Sequence, residues 1–432
     1  MDIHETFEFI NSYSNPARRS DFVRVRNLLE KLGNPDKSLK FIHVAGTNGK
    51  GSTCAMLASI FRKAGYKTAL FTSPHILRYN ERMQIDGNPI PDDDLIRVTG
   101  KVKDAIDSIT DEVLKPNWFE MMMASALVWF AEEKVDIVVF EVGLGGLLDA
   151  TNVIDVPECA VITNIGLDHT QILGNTLEEI AAQKAGIIKS DGTAVVYRGS
   201  ESVEKVFEDR CSEVGAELIK ADFDSIRPIS EDIFGQTFDV EGLENIHIPL
   251  AGEHQKKNTA VVICTVRALQ AKGWKITDEN IRDGLEATVW PVRFEVVSKD
   301  PLFIIDGGHN PQCAEAVRDS LNSLIPAGTR IVFLTGILAD KDYKDVIDIL
   351  GSVSKEFITV TPSSHRALES DDLAQFIENR GYIVTPCETI EEGIETAIRT
   401  ADGGVVCCVG SLYLAGDVRR HFSPGNSLER IV

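Results

Sequence analysis

The sequence lacks a long apolar run, a basic surplus and closely spaced cysteines. No run approaches the ~20 apolar residues of a membrane span, and residues 1–6 lack the basic and apolar regions of a secretory signal. The formal net charge of −22 argues against a broad surface for nucleic acid or anionic membranes. The eight cysteines include no C-x-x-C spacing, which excludes the common zinc and redox motifs. We therefore expect a soluble cytoplasmic protein with reduced cysteines that binds neither nucleic acid nor membranes.

A glycine-rich turn at residues 46–51 stands out from the rest of the chain. An apolar run precedes it, and apolar residues at helical spacing follow it. This order is typical of a phosphate cradle, because loop N–H groups and a helix N-terminus face the anion. Lys50 adds a positive charge, and Ser52 or Thr53 can reach Mg²⁺. A plain surface turn does not need a lysine followed by two hydroxyl residues.

Two common nucleotide motifs fit in part or not at all. The usual P-loop has glycine where Val44 stands, and it has no residue between the lysine and the hydroxyl, where Gly51 intervenes here. A second glycine-rich segment, at residues 143–146, fails the dinucleotide fingerprint because Leu148 occupies the third glycine position. The sequence thus favours a phosphate site and argues against a dehydrogenase.

Three polar residues lie at or just after strand-like runs: Ser73, Glu141 and His169. In open parallel sheets, ligands collect outside the carboxyl ends of strands, and the glycine-rich turn follows its own strand at that edge. We therefore predict that four strand ends meet at one nucleotide and its metal ions. Ser73 and Glu141 offer oxygen ligands suited to Mg²⁺, and His169 offers a nitrogen. The alternatives are a turn serine, a helix-capping glutamate and a hydrogen-bonded loop histidine.

Three other polar residues have weaker signals when taken alone. Lys184 lies near a helix end, where a lysine can simply interact with the helix dipole. Asp306 and His309 follow a strand in the second half of the chain, on a glycine-rich turn. A turn followed by a helix cap explains them equally well.

Strand and helix patterns alternate in two blocks along the 432 residues. A long helix is predicted from Asp92, with apolar positions in line as far as Val113. Residues 225–250 are β-rich, and the helical pattern stops near residue 290 before the alternation resumes. We predict an α/β protein with two domains. Residues 1–292 form a larger P-loop ATPase-like domain with a mostly parallel sheet plus a small β-rich part, and residues 293–432 form a smaller Rossmann-like domain.

Nine motifs in this order resemble the folylpolyglutamate synthase/dihydrofolate synthase family of the Mur-ligase superfamily. The resemblance runs from about residue 20 to about residue 420. The motifs are HVAGTNGKGST (43–53), TSPH (72–75), ERMQIDG (81–87), EVGLGGLLDATN (141–152), TNIGLDHTQILGNTLEEIAAQKAGIIK (163–189), GEHQKKN (252–258), RFEV (293–296), DGGHNP (306–311) and GSLYLAGDVR (410–419).

The resemblance implies an ATP-dependent amide ligase. In this family the substrate carboxylate takes the γ-phosphoryl group of ATP, and the amine of L-glutamate attacks the resulting acyl phosphate. The expected substrate is a folate, extended by polyglutamylation, or dihydropteroate, converted to dihydrofolate. Two Mg²⁺ ions would offset the repulsion between the two anions. The alternatives are a Mur-type ligase for another acid and amino acid, and a nucleotide-binding regulator without catalysis; we expect a monomer.

The resemblance also assigns roles to individual residues of this sequence. The catalytic residues it implies are Lys50, His169 and Lys184. The nucleotide contacts are Gly49, Lys50, Gly51, Ser52, Asn258, Arg293, Asp306 and His309. The metal ligands are Ser52, Ser73, Glu141, His169 and Lys184. Lys184 matches a lysine that is carbamylated in the family, a change that turns a cation into a metal-binding anion.

Three stretches depart from the family pattern. Val292 replaces a glycine before Arg293, so the backbone there is open to a different path. Residues 13–20 stand where the family has a glycine-rich loop that carries basic residues over the pterin. Residues 121–123 are methionines where hydroxyl residues are common in the family. All three concern substrate handling more than phosphate chemistry. The preferred pterin, and the balance between first glutamate addition and chain extension, therefore stay open.

Overall fold

Residues 1–13 and 22–422 are described by a computed structural model. Within them, the first half of the chain forms an eight-stranded sheet in the order β4-β3-β2-β5-β1-β6-β7-β8. Its strands are β1 (Phe41–Ala45), β2 (Thr68–Phe71), β3 (Met83–Ile85), β4 (Asn88–Pro89), β5 (Ile137–Glu141), β6 (Cys159–Ile162), β7 (Thr193–Val196) and β8 (Glu217–Lys220). Only β3 and β4 run antiparallel to their neighbours. The predicted mostly parallel sheet is confirmed.

Helices cover both faces of this large sheet. They are α1 (Ile3–Ser12), α2 (Val23–Lys31), α3 (Lys50–Lys63), α4 (Asp92–Asp107), α5 (Trp118–Glu132), α6 (Thr170–Leu173), α7 (Leu177–Ala185), α8 (Glu201–Val214), α9 (Glu253–Ala271) and α10 (Asp278–Glu286). In β5, Val138 and Phe140 pack into the core that includes α4 and α5, whereas Ile137 and Val139 pack into the core that includes α3 and α9. Alternate side chains thus enter opposite cores, which explains the continuous apolar run in the sequence.

The helix predicted to extend as far as Val113 is shorter than its pattern indicated. Helix α4 ends at Asp107, and the Ser108 hydroxyl donates to the Ala105 carbonyl at the helix end. Val113 lies in a short 3₁₀ turn where the Asp111 side chain accepts its N–H, and 64% of Val113 is exposed. Local capping by polar side chains therefore outweighs one apolar position at helical spacing.

A small antiparallel sheet follows β8 in the chain. Its strands are β9 (Arg227–Asp232), β10 (Gly235–Val240) and β11 (Leu243–Ile248), with β10 in the centre. Buried residues of β10 and β11, among them Phe238 and Ile246, pack in the core shared with α3 and α9. This is the small β-rich part predicted within residues 225–250.

The second half of the chain forms a six-stranded sheet in the order β12-β13-β17-β14-β15-β16 within the described residues. The strands are β12 (Glu295–Lys299), β13 (Leu302–Ile305), β14 (Ile331–Thr335), β15 (Glu356–Thr359), β16 (Ile383–Pro386) and β17 (Val405–Val409). The helices are α11 (Pro311–Leu324), α12 (Tyr343–Leu350), α13 (Ser370–Asn379), α14 (Ile390–Ala401) and α15 (Leu412–His421). All strands except β12 are parallel, as expected for a Rossmann-like domain.

Within residues 1–13 and 22–422, no helix combines the length and apolarity required to cross a membrane. The eight cysteines all lie in these ranges, and each has a free thiol. Of the departing segment at residues 13–20, residues 14–20 lie outside the described residues. Met121, Met122 and Met123 are fully buried in the core beside the large sheet, so the departure at residues 121–123 is a packing feature.

Candidate active site

Four neighbouring parallel strands end at one edge of the large sheet. Strand β1 lies between β5 and β6, and β5 also pairs with β2. Ser73 follows β2, Glu141 ends β5, the glycine-rich turn follows β1, and the loop after β6 leads to His169. The order of strands therefore brings the four predicted segments to the same edge, where open α/β sheets bind ligands.

The glycine-rich turn is packed too tightly for side chains at two of its positions. A Cβ atom on Gly46 would lie 1.7 Å from Thr163 Oγ1, and one on Gly49 would lie 2.6 Å from Asn258 Oδ1. Gly49 also has φ of +85° as the N-cap of α3, a conformation that glycine adopts without strain. Lys50 is the first residue of α3, and its Nζ donates to the carbonyls of Gly46 and Thr47, both at 3.1 Å.

A cavity of about 240 Å³ opens beside this turn, and we call it the first cavity. The predicted residues that line it are Lys50, Ser73, His169, Lys184 and His309. His309 lies in the turn that follows strand β13 of the second sheet, so residues of both domains line the cavity. Lys341, Arg366 and Ser411 of the second domain also line it.

A second cavity, of about 470 Å³, shares Ser73, Pro74 and Leu412 with the first. Gly51, Glu141 and Arg293 line it. A Cβ atom on Gly51 would lie 2.5 Å from the Trp290 ring, so the missing side chain leaves room for that indole against the start of α3. Ser73 therefore stands where the two cavities meet.

Glu141 is a buried carboxylate in a positively charged surrounding. Its Oε2 accepts a hydrogen bond from the Ser73 N–H at 2.8 Å, and the residue is 3% exposed. Burial raises the pKa of Glu141, and the charges of Lys50 and Arg293 act in the opposite direction. A cation bound next to this carboxylate would replace the hydration that it has lost.

Lys184 is buried at the floor of the first cavity. Its Nζ donates to the Gly46 carbonyl of the glycine-rich turn at 2.9 Å. Burial and the charge of Lys50 lower the pKa of Lys184 from 10.5 to about 7. At neutral pH the amine is therefore divided between its charged and uncharged forms.

His169 lies at the rim of the first cavity, with 43% of its side chain exposed. Partial desolvation lowers the pKa of His169 to about 4, although the nearby Asp168 carboxylate acts in the opposite direction. The imidazole is therefore neutral at pH 7, the state in which a histidine binds a metal. Its backbone has φ of +50° at the N-cap of α6, which directs the loop after β6.

Ser52 and Asn258 lie beneath the glycine-rich turn and do not line either cavity. Ser52 Oγ accepts from Gln255 Nε2 at 3.3 Å, and both residues are at most 2% exposed. The Asn258 amide donates to Gln255 Oε1 at 3.1 Å and packs against Gly49. Gln255 thus joins two predicted residues, although no sequence pattern singled it out.

Asp306 supports the turn that carries His309. Its two carboxylate oxygens accept hydrogen bonds from the N–H groups of Phe294 at 2.9 Å and Gly308 at 2.7 Å. The residue is 8% exposed and lines neither cavity. Asp306 therefore ties the turn that carries His309 to the start of the second domain, next to Arg293.

Val292 takes the left-handed conformation that favours glycine, with φ of +54°. Its N–H donates to Glu295 Oε2 at 2.8 Å, and its carbonyl accepts from the Gly307 N–H at 2.9 Å. The valine side chain is buried in the core of the second domain. The backbone before Arg293 thus follows a path suited to glycine despite the substitution.

Replacing Val292 by glycine is expected to lower the free energy of unfolding by about 1–2 kcal/mol. Relief of left-handed strain gains about 1–2 kcal/mol, whereas loss of a buried valine costs about 1.5–3 kcal/mol and glycine adds chain entropy. Urea unfolding measures the change. Val292→Ala keeps the strain and loses most of the side chain, so it should be at least as unstable. A glycine variant more stable than the wild type would show that strain dominates.

The donor set around the two cavities suits Mg²⁺. Within residues 1–13 and 22–422, no three His, Cys, Asp or Glu side chains gather as a metal centre. Zinc centres use such sets, whereas Mg²⁺ keeps several waters and takes one or two carboxylates together with substrate phosphates. Glu141 supplies one hard oxygen at the sheet edge, where the backbone N–H of Ser73 donates to it. These residues therefore fit a phosphate-bound Mg²⁺ ion.

Two family models match the chain. Residues 97–266 match the Mur ligase middle domain, and residues 292–412 match the Mur ligase glutamate ligase domain. The chain is 34% identical over 441 residues to the folylpolyglutamate synthase of Lacticaseibacillus casei, covering 99% of this chain and 100% of that protein. It is 35% identical to the dihydrofolate synthase/folylpolyglutamate synthase of Bacillus subtilis, covering 92% of this chain and 94% of that protein.

A solved complex of FPGS with AMPPCP and folate has the same fold. It superposes with a TM-score of 0.86 at 33% sequence identity, covering 98% of this chain and 99% of the other. Identity above 30% over almost the full length of both chains establishes common descent as well as a common fold. The chain belongs to the folylpolyglutamate synthase/dihydrofolate synthase family of Mur ligases, and it is an ATP-dependent ligase.

Proposed function

We propose that this ligase adds L-glutamate to the carboxylate of a folate or of dihydropteroate, by way of an acyl phosphate, in the first cavity. The observation that carries the proposal is the gathering of Lys50, Lys184 and Ser73 with His309 and Lys341 around one space. Phosphoryl transfer between two anions needs positioning and charge neutralisation more than covalent help from the protein. In a chain of net charge −22, the three cationic side chains of Lys50, Lys341 and Arg366 around this cavity favour an anionic substrate pair.

The proposed reaction has two steps. A carboxylate oxygen of the folate attacks the γ-phosphorus of ATP, and the bond to the bridging oxygen breaks to release ADP. The amine of L-glutamate then attacks the acyl carbon, inorganic phosphate leaves, and the amine loses a proton as the amide forms. Lys50 stabilises the charge on the transferring group from the start of α3. Gly49, Gly51 and Asn258 shape the cradle, and Arg293 and His309 reach it from the second domain.

We assign Mg²⁺ binding to Ser73, Glu141 and His169, with two ions as the family resemblance implies. Ser52, which accepts from Gln255 beneath the turn, would exchange that hydrogen bond for an ion. When bound, Mg²⁺ reduces the repulsion between the substrate carboxylate and the γ-phosphate. The Ser73 N–H fixes the Glu141 carboxylate at the sheet edge, and this supports the proposed role. The neutral His169 imidazole is free of the proton that would compete with a metal.

Replacing Glu141 by glutamine is expected to raise the Mg²⁺ concentration for half-maximal activity about 10- to 100-fold. The substitution keeps the shape of the side chain and removes its charge, so the fold should persist. A titration of the ligation rate with Mg²⁺ measures the effect. The control is Glu133→Gln, which removes a surface carboxylate paired with Lys67. An unchanged Mg²⁺ requirement in the Glu141 variant would exclude this carboxylate as a ligand.

We infer that Lys184 acts as a carbamate. The uncharged amine adds to CO₂, forming an N–C bond and releasing a proton, and the product is an anion. A pKa of about 7 leaves enough uncharged amine at neutral pH for this addition. The carbamate would lie between the glycine-rich turn and the metal ions and would serve as a further oxygen ligand.

We also propose that residues 1–292 and 293–432 act as two domains that close over ATP in a monomer. Lys341 and Arg366 reach the first cavity from the second domain, so separation of the domains would remove them from the phosphates. Free thiols at all eight cysteines fit a reducing compartment, and we assign the protein to the cytoplasm.

Mass spectrometry of the products tests the function. The purified chain is incubated with ATP, Mg²⁺, L-glutamate and either tetrahydrofolate or dihydropteroate. We expect a product heavier by one glutamyl residue, or a ladder of such products, with one ADP per addition. ATP consumption without glutamylation of either pterin would contradict the proposal and favour another acid and amino acid.

A further inference from the structure

Asn310, the N-cap of α11, lies among the polar contacts between the two domains. Its side-chain Nδ2 donates to Asn48 Oδ1 at 3.1 Å and to Asp168 Oδ2 at 3.3 Å. Its Oδ1 accepts from the Cys313 N–H at 2.9 Å, and the residue is 4% exposed. One buried amide therefore joins the glycine-rich turn, the loop after β6 and the first turn of α11.

Hydrogen bonds on both sides fix the orientation of this amide. Helix α11 needs an acceptor for the Cys313 N–H, so Oδ1 faces the helix and the NH₂ group faces the first domain. Asn48 is oriented by donors from the second domain, because its Oδ1 accepts from Asn310 Nδ2 and from Cys313 Sγ, the latter at 3.3 Å. Its Nδ2 then donates to Gln312 Oε1 at 2.6 Å. Neither asparagine can be turned over without losing a bond on each side.

Asp168 connects the same junction to two side chains that line the first cavity. Its Oδ1 accepts from Lys341 Nζ at 3.0 Å, and His309 Nε2 lies 3.6 Å from its Oδ2. Both partners belong to the second domain, whereas Asp168 follows β6 of the first. The Asp168 carboxylate thus holds His309 and Lys341 in place only while the domains are together.

We propose that Asn310 is a positioning residue that couples closure of the second domain to the glycine-rich turn, with Asp168 as its partner. Separation of the domains removes both acceptors of the Asn310 amide and frees the Asn48 side chain. Closure restores them, and Asn48 is held two residues before Lys50. The inference rests on the proposed function in taking the first cavity as the place of phosphoryl transfer.

The variant Asn310→Asp isolates this role. Aspartate caps a helix as well as asparagine does, so α11 keeps its N-cap, but it has no N–H to donate and places a second carboxylate against Asp168. We expect kcat to fall about 10- to 100-fold, as for the loss of a hydrogen bond to a charged group. The thermal midpoint should change little. Asn379→Asp, on an exposed position of the second domain, is the matched control and should keep the wild-type rate.

A reciprocal change supplies the rescue. In the double variant Asn310→Asp and Asp168→Asn, the amide and the carboxylate exchange places, and a hydrogen bond forms in the reverse direction. Because Asp168→Asn alone also loses the charge that holds Lys341, the double variant is compared with both single variants, and we expect its kcat to exceed the product of the two separate effects at least about fivefold. A merely structural defect would lower the thermal midpoint and would not be rescued.

A second measurement follows domain closure independently of ligation. Small-angle scattering with a non-hydrolysable ATP analogue and Mg²⁺ should show contraction of the wild type and of the double variant, but not of Asn310→Asp. Wild-type closure and turnover in Asn310→Asp would overturn the inference, as would effects of the two substitutions that simply multiply in the double variant. A wild-type chain that closes but adds no glutamate contradicts the proposed function and leaves this test of Asn310 intact.

Discussion

Lys184→Met is expected to lower kcat at least about 100-fold, because a proposed metal ligand is lost. The same substitution should make the fold more stable at pH 7, because a buried amine is removed. Methionine matches the length and apolar character of the lysine stem. It cannot add CO₂, and it supplies no oxygen ligand in the first cavity. The opposite signs of the two effects separate a functional lysine from a structural one.

The pH dependence of the stability gain follows from the sign of the pKa shift. The pKa of Lys184 is about 7 in the fold and 10.5 in the unfolded chain, because burial disfavours the charged amine. The buried Lys184 amine therefore destabilises the wild type by its full amount below pH 7, and this destabilisation disappears as the pH rises towards 10.5. After allowance for the lost hydrogen bond to the Gly46 carbonyl, the net gain at pH 7 is on the order of 2 kcal/mol.

Urea unfolding in CO₂-free buffer at pH 7 and pH 10 measures this gain, alongside kcat with added bicarbonate. Lys189→Met is the matched control. Lys189 is also a desolvated lysine with a lowered pKa, about 8, but it lines neither cavity. Its replacement should leave kcat within about threefold, as for residues outside a site. Near-normal ligation by Lys184→Met would remove this lysine from the chemistry.

Lys50→Met is expected to lower kcat about 10³- to 10⁴-fold, comparable to removal of a cation that stabilises phosphoryl transfer. Lys50 begins α3, lines the first cavity and is anchored through two carbonyls of its own turn. Its charge therefore lies where the γ-phosphate would meet the helix N-terminus. Because the charge acts mainly on the transition state, the KM for ATP should change less than kcat.

Steady-state phosphate release and an ATP titration separate the two parameters. Lys63→Met is the control, because Lys63 is an exposed lysine in the last turn of the same helix. It should retain the wild-type kcat and KM. A Lys50 variant whose KM rises while kcat stays constant would show that the lysine only binds ATP.

The sequence predicted those parts of the site that depend on local patterns. Ser73, Glu141 and Lys50 each follow or end an apolar strand run, and parallel strands place such residues at one edge. No local pattern determines the sheet order that makes β2, β5, β1 and β6 neighbours, because strand pairing depends on packing between residues that are distant in sequence.

The parts that escaped prediction depend on contacts between the two domains. Lys341 and Arg366 stand in loops of the second domain without any local motif, and only the fold brings them to the first cavity. Asn310 is part of a motif that already had an explanation as a turn and a helix cap. Its second role depends on Asn48, 262 positions earlier in the chain, which no local pattern can indicate.

Transfer of oxygen from the folate carboxylate to phosphate is the most direct test of phosphoryl transfer in the first cavity. The folate is labelled with ¹⁸O in the carboxylate that accepts glutamate and is incubated with the chain, ATP, Mg²⁺ and L-glutamate. We expect each glutamate added to release one phosphate that carries one labelled oxygen, together with ADP. Unlabelled phosphate, or cleavage of ATP to AMP and pyrophosphate, would contradict an acyl phosphate formed between these strand ends.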